Sequence, residues 1–473
     1  MKIKDNPQDI QPYLEDSSNF KEGKATKVFI PEDEKEVKEV LEYCRKTNTP
    51  VTVSAAGTGN VAARIPLDGV VLSAEKLNKI VSIDKQNKKA TLQSGVVVAN
   101  FLAELDKQGL FYPPFPTERA AFIGGNVATN ASGEYSFRFG PTRNYVRKIR
   151  MVLTTGDVLE IERGKIFEKN GQIDFGLFKV PLPSYRTPNV KCSAGYYSKD
   201  GMDAIDLIIG SEGTLGVFTE VEVSLIDKLP ERFIILIFIK ETPQLLDIVK
   251  KIKSLTHELN IFSLEFFDTK SLEFLKEEFS FVPNDTVALY IEAEKSNLEK
   301  WLILVEEFSP KEVFVADTQK DYKKLIDFRY KLPDKINTYF KKLNSYKIAI
   351  DAAVTDTKLP ELYYFYKNIM LEYKDIEMVI FGHIGEAHLH FNMFPKTPKE
   401  KEMCEKIYEN SIKKAVSLGG SGFAEHGIGK IKSKYLPLMY GEKAIYEMAK
   451  IKKIFDPYCL LGLDNIFSRN YLV

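Results

Sequence analysis

The chain has 473 residues, 44% hydrophobic and 28% charged, and its 66 basic and 66 acidic side chains cancel. That length exceeds what one core organises and calls for two or three domains, while the zero net charge gives no electrostatic drive toward nucleic acid or an anionic membrane. No segment reaches the roughly 20 apolar residues of a transmembrane helix, residues 1–20 lack the apolar stretch of a secretory signal, and four dispersed cysteines without a C-x-x-C pair argue against a disulfide framework or an iron–sulfur site.

A cytoplasmic protein that depends on a bound cofactor is therefore expected. Residues 31–44 open with proline and acidic side chains and set Val37, Val40 and Leu41 on one stripe, which predicts an amphipathic helix. Residues 50–54 read as a strand, followed by the tight turn Ala56, Gly57, Thr58, Gly59 and Asn60. Gly57, Gly59 and Ala62 satisfy a dinucleotide fingerprint formally. Pro66 and the Asp68-Gly69 turn stop any helix within two turns, however, and a new strand starts at Val70, so the unit is not a Rossmann βαβ. Its amides can still hold a pyrophosphate.

Strand-like runs at 80–83 and 90–93 precede a helix at 98–107 that Gly109 ends. In the stretch from Gly124 to Gly133 only Val127 is bulky, and the remaining Gly, Ala, Ser, Thr and Asn residues expose backbone amides and short polar groups at close range. Such a segment suits a large planar or phosphorylated ligand lying against the main chain. A hairpin-like pair at 146–153 and 158–161, the Gly-rich segment 210–216 and the alternating residues 219–225 complete the first region.

From about residue 229 the texture shifts to longer charged helices between strands, with strands at 234–239, 288–292 and 347–350 and helices at 243–254, 298–307 and 359–373. The pattern predicts an α+β domain built on an antiparallel sheet. Residues 441–455 read as a helix closed by Asp456-Pro457.

All five histidines lie beyond residue 256, three of them within Gly382–Asn392 and a fourth, His426, next to Glu425. If 387–393 is a strand, His388, His390 and Asn392 share one face while Leu389, Phe391 and Met393 turn to the core. Gly382 and Gly385 let His383 fold back toward that face. Two imidazoles and one carboxylate form a divalent-metal set that keeps coordination positions open, with Glu425 or Glu386 as the carboxylate. Adjacent side chains diverge, so a metal-bound Glu425 would leave His426 beside the substrate as a general base.

Residues 116–147, the Gly210–Gly216 segment, His383 with His390, and Glu425–Gly429 occur in an order that resembles the FAD-linked 2-hydroxy-acid dehydrogenases of the vanillyl-alcohol-oxidase (PCMH-type FAD-binding) superfamily. D-lactate dehydrogenase, the flavin subunit of glycolate oxidase and D-2-hydroxyglutarate dehydrogenase are members. The resemblance implies an α+β fold: a PCMH-type FAD-binding domain of two α+β subdomains over 1–228, a substrate cap with an antiparallel sheet over 229–420, and a segment 421–473 returning to the FAD domain. It assigns the pyrophosphate to Ala56–Asn60 and the flavin to Pro116, Thr117, Gly124, Gly125, Asn126, Thr129, Ser132, Glu212, Gly216 and Val217. His383, His390 and Glu425 would bind a divalent metal, zinc or another first-row ion. His426 would take the hydroxyl proton as hydride passes to FAD, Asn392 would orient the substrate and Arg329 would pair with its carboxylate, with Lys347 as a second anion contact.

No histidine precedes residue 257, which points to non-covalent FAD. The resemblance further implies a small 2-hydroxy-acid substrate and an electron acceptor, which is an electron-transfer flavoprotein, an iron–sulfur subunit or a quinone. It allows a homodimer and a peripheral position at the inner face of a membrane through that partner. Glu386-Ala387-His388 replaces the family's Asp-Gly-Asn, the terminal Asn-Pro-Gly-Lys is altered at Gly462–Asn465, and Asn60 is unusual in the pyrophosphate loop. Two alternatives follow: an FAD-carrying electron-transfer subunit with a drifted substrate site, and a redox-neutral enzyme like alkyl-glycerone-phosphate synthase.

Overall fold

The computed structural model describes residues 1–343 and 348–472. Its first sheet has the strand order Lys2–Lys4, Lys27–Ile30, Val70–Ser73, Val51–Ser54, with the last three strands parallel. No helix separates Val51–Ser54 from Val70–Ser73, in keeping with the failed dinucleotide fingerprint. The helix expected over 31–44 starts at Glu34 rather than Pro31. Asp33 accepts from the Glu36 amide and the Glu36 carboxylate reaches back to the Glu32 amide, so reciprocal capping sets the start. Val37, Val40 and Leu41 then pack on Val51, Val70 and Leu72.

The second sheet is antiparallel, in the order Ile80–Asp84, Lys89–Gln93, Val217–Ser224, Val146–Val152, Val158–Glu162. Within the small-residue stretch, Ile123–Thr129 forms a short helix against it. A Cβ on Gly124 would stand 2.6 Å from the Ser94 Cβ, so glycine permits this close approach.

Seven antiparallel strands make the third sheet, ordered Glu312–Ala316, Arg232–Ile239, Val287–Glu294, Ile261–Phe267, Glu377–Gly382, His388–Phe394, Ile348–Ala353. Arg232–Ile239 is apolar at nearly every position because both of its faces are covered. Phe233, Ile235 and Ile237 join one core, while Ile234, Leu236 and Phe238 join another. The second core is closed by Leu325, Phe328, Leu332, Ile336 and Phe340, a stripe on the 24-residue helix Gln319–Lys342. The sequence reading did not anticipate that helix, which carries Pro333 inside it and places Arg329 beside the buried Phe328. The helices 298–307 and 359–373 are found as Leu298–Glu306 and Leu359–Glu372. The expected strand at 347–350 is Ile348–Ala353, and Lys347 lies outside the described residues.

The chain ends beside the first sheet. Val51 donates to the Leu460 carbonyl at 2.8 Å and accepts from the Gly462 amide at 2.8 Å, and Leu460 and Leu461 enter that sheet's core. The α+β class with an antiparallel sheet in the second half is as expected, and among the described residues no helix is long and apolar enough to cross a membrane.

Candidate active site

A deep slot runs between the first two sheets. It is walled by Val53–Ala55 and Gly57–Gly59 on one side, by Gly124, Gly125, Asn126 and Thr129 on another, and by Glu212, Gly216 and Phe218 at the back. A second cleft, under the seven-stranded sheet, is lined by Asn60, Pro116, Thr117, Ser132, Arg329, His383, His390, Asn392 and Glu425. Thr58, Gly59, Asn126, Thr129 and His426 line both, so the two cavities meet at His426. Two expected cofactor contacts lie elsewhere. Val217 packs in the core of the first sheet with Val152, and only its neighbours Gly216 and Phe218 face the slot; Ala56 lines neither cavity, between Ala55 and Gly57, which do.

Four buried polar atoms of slot residues have no protein partner: Asp16 Oδ2, Arg64 Nε, Ser94 Oγ and Asn126 Nδ2. Buried polar groups are costly unless satisfied, so the slot suits a polar ligand with hydrogen-bonding edges. Sequence reasoning missed Arg64 and Ser94, because neither belongs to a glycine-rich motif. The Arg64 guanidinium occupies the space that a Cβ on Gly57 would fill, 2.1 Å from Nη1.

Glu212 joins the slot to the segment that carries His426. Its carboxylate accepts from the amides of Ile428 at 2.7 Å and Gly429 at 2.6 Å, and burial, only partly offset by those two bonds, pushes it up to about 7. Gly429 has φ +50°, and a Cβ there would lie 2.0 Å from the Val61 carbonyl. Gly429→Ala is therefore expected to destabilise the protein by more than about 2 kcal/mol, measured as a lower denaturant midpoint at unchanged m.

The histidines gather as their alternation predicts. In the strand His388–Phe394, Leu389, Phe391 and Met393 enter the core, and His388, His390 and Asn392 take the other face. The amides of Glu386 and His388 both donate to the His383 carbonyl, at 2.9 and 3.2 Å, closing a turn through Ala387 at φ +49° that brings His383 over the strand. Glu425 Oε1 lies 3.3 Å from His383 Nε2 and 3.2 Å from His390 Nε2. Glu386 is not the carboxylate of this cluster; it pairs with the buried Lys191 at 2.8 Å, which also reaches Glu425 Oε2 at 2.6 Å.

His426 does not diverge from Glu425 as adjacent side chains ordinarily would: its Nε2 is 3.7 Å from Glu425 Oε1. The fully buried Asp351 gathers both residues, accepting from the Glu425 amide at 3.3 Å and the His426 amide at 3.0 Å through Oδ2. The same oxygen faces His426 Nδ1 at 3.2 Å, while Oδ1 accepts from His388 Nε2 at 2.8 Å. Burial opposes this charge, but His426, Lys432 and the His388 hydrogen bond hold Asp351 well below the usual carboxylate range. Its role was not legible in the sequence, where Asp351 lies more than 70 residues from His426.

Across the cleft Arg329 is buried, not a solvated surface arginine, and its Nη2 donates to Glu265 Oε1 at 2.7 Å. His383 Nδ1 faces the same oxygen at 3.0 Å. Burial acts against it, yet His383 and Arg329 hold Glu265 well below its ordinary range. Glu134, just after the small-residue stretch, is pushed up to about 7 by burial. Neither glutamate was singled out from sequence.

Two overlapping sets, His383–His388–His390–Glu425 and Asp351–His390–Glu425–His426, each bring one ligand atom per residue within 4.8 Å of the others. Nitrogen and carboxylate donors suit a first-row divalent ion. The 3.2 to 3.3 Å separations within the first set match ligand edges of about 3.4 Å around a tetrahedral ion. Buried and unpartnered, His388 Nδ1 adds to the case for a ligand at this cluster.

Residues 25–162 match the FAD binding domain family, and residues 232–462 match the C-terminal domain of FAD linked oxidases. The chain is 30% identical over 451 residues to a D-lactate dehydrogenase of Anaerostipes hadrus, covering 91% of this chain and 87% of that protein. It is 26% identical over 457 residues to the glycolate oxidase subunit GlcD of Bacillus subtilis, covering 94% and 89%. In fold it is similar to p-cresol methylhydroxylase with substrate bound, with a TM-score of 0.70 at 13% identity over 99% of this chain and 94% of that one.

Proposed function

This chain belongs to the FAD-linked oxidases, a family of FAD-binding oxidoreductases, and from that premise we propose that it oxidises a D-2-hydroxy acid of the lactate, glycolate or 2-hydroxyglutarate class to the 2-oxo acid. One observation carries the reading. His426 stands where the slot meets the cleft, with Nδ1 on the buried Asp351 carboxylate and Nε2 beside the His383–His390–Glu425 cluster.

Residues 1–228 would form the flavin domain, 229–420 the substrate cap and 421–473 the returning segment. The slot residues Gly57–Gly59, Gly124–Asn126, Thr129, Glu212 and Gly216 would hold FAD, with Arg64, Ser94 and Asn126 as unsatisfied polar groups for it. When bound, FAD supplies the two-electron acceptor for the hydride leaving Cα. His383, His390 and Glu425 would hold a divalent ion, which supplies Lewis acidity toward the substrate hydroxyl.

The chain's own residues account for the rest. Asp351 accepts the Nδ1 proton of His426 and so leaves Nε2 as the basic atom, facing the cleft to take the hydroxyl proton. The Arg329 guanidinium would pair with the substrate carboxylate. Asn392, whose side-chain amide is buried with both polar atoms unpaired, would orient the acid. Reoxidation by an electron-transfer flavoprotein, an iron–sulfur subunit or a quinone completes the cycle.

Turnover with an artificial dye acceptor, trapping the 2-oxo product as a hydrazone, tests the reading. For lactate and 2-hydroxyglutarate the D enantiomer should be consumed and the L enantiomer spared, with achiral glycolate as the third substrate; dye reduction by none of the three acids would sink it. Arg329→Gln should raise KM by about 10- to 100-fold, the value of a charged hydrogen-bonded pair, with FAD content unchanged. A normal KM in that variant would remove Arg329 from the substrate site.

A further inference from the structure

We propose that His388 is a fourth protein ligand of the metal, through Nδ1, so that three imidazoles and one carboxylate hold the ion. The inference rests on the metal-assisted reading above and concerns a residue that the two-histidine, one-carboxylate set leaves out.

His388 is fully buried, and its Nε2 lies 2.8 Å from Asp351 Oδ1. An ionised carboxylate only accepts hydrogen bonds, so Nε2 carries the proton and Nδ1 is left with a lone pair. That nitrogen has no hydrogen-bond partner, and the side-chain oxygen opposite it, Glu425 Oε2 at 3.9 Å, is itself an acceptor. Glu425 Oε2 is already matched by the Lys191 ammonium at 2.6 Å, so the buried His388 Nδ1 lone pair alone is left without a donor, an unfavourable setting that a cation at the cluster relieves. The His388 ring lies 4.6 Å from that of His390 and 5.3 Å from that of His383, and the four donor atoms of His383, His388, His390 and Glu425 lie within 4.8 Å of one another.

The hydrogen bond from Nε2 to Asp351 is the carboxylate–histidine arrangement that fixes the tautomer and orientation of a ligating imidazole. Asp351 thus serves His388 through one oxygen and His426 through the other. A fourth protein donor leaves fewer positions for exchangeable ligands.

The FAD-loaded full-length protein, stripped of metal with a chelator, is titrated with Co2+ and followed by its visible d–d bands. Wild type should bind tightly with intense bands, and His388→Asn should bind about tenfold to a hundredfold more weakly with altered bands, its circular dichroism and flavin content unchanged. X-ray absorption at the zinc edge of the Zn2+-loaded wild type should count three imidazoles, a readout that stands even where the variant fails to fold. Two imidazoles in wild type, or an unchanged Kd and spectrum in His388→Asn, overturn the inference and leave the metal-assisted reading intact. Failure of wild type to take up Co2+ overturns both.

Discussion

Replacing His426 with alanine should slow substrate-driven flavin reduction by about 10²- to 10⁴-fold, the usual contribution of a positioned general base, while FAD and metal contents stay at wild-type levels. The separation follows from the geometry. His426 lines both cavities, but the slot is closed at the back by Glu212 bonding to Ile428 and Gly429 rather than to His426. The His383–His390–Glu425 contacts at 3.2 to 3.3 Å do not pass through it. Stopped-flow reduction under anaerobic conditions, with flavin and metal per chain measured on the same sample, checks the prediction. A variant that reduces at the wild-type rate would take the proton-abstracting role from His426.

Asp351→Asn should do broader damage. The carboxylate serves His388, His426 and two backbone amides, with Lys432 Nζ 3.5 Å away, all in a fully buried setting. An amide offers one acceptor oxygen where the carboxylate offers two, so one imidazole loses its partner and Lys432 loses its counter-charge. Breaking a buried ionic network in this way costs about 3 to 5 kcal/mol of stability. A misoriented imidazole costs about 10²- to 10⁴-fold in rate, and lost outer-shell support about 10- to 100-fold in metal affinity. Denaturant unfolding, Co2+ titration and flavin reduction should therefore all shift together. A fall in one alone would mean that Asp351 serves a single partner.

How much was legible in the sequence depended on where the information lay. The Gly124–Gly133 stretch, the failed Rossmann turn and the alternation of His388, His390 and Asn392 are local patterns, and local periodicity predicts them. The helix Gln319–Lys342 was missed because its apolar stripe is diluted by charge and interrupted by Pro333, a residue that argues against a helix interior. Val217 turns its side chain to the core because a strand alternates, and its neighbours Gly216 and Phe218 take the slot side. Asp351, Glu265, Glu134 and Lys191 stayed hidden for a different reason. Each is an ordinary charged residue in sequence; Asp351, Glu265 and Lys191 take their function from burial and from partners more than 30 residues away, and Glu134 from burial. The closeness of His426 to Glu425 was equally hidden, since it depends on Asp351 drawing two consecutive amides to one oxygen.

The most direct test of the central claim is an anaerobic titration of the FAD-loaded protein with D-lactate, glycolate and D-2-hydroxyglutarate, followed by flavin absorbance and repeated after chelation and after adding back Zn2+ or Co2+. The account predicts that at least one acid bleaches the flavin, that chelation stops the bleaching while FAD stays bound, and that the added ion restores it. A flavin that no acid bleaches, or bleaching indifferent to the metal, would contradict it.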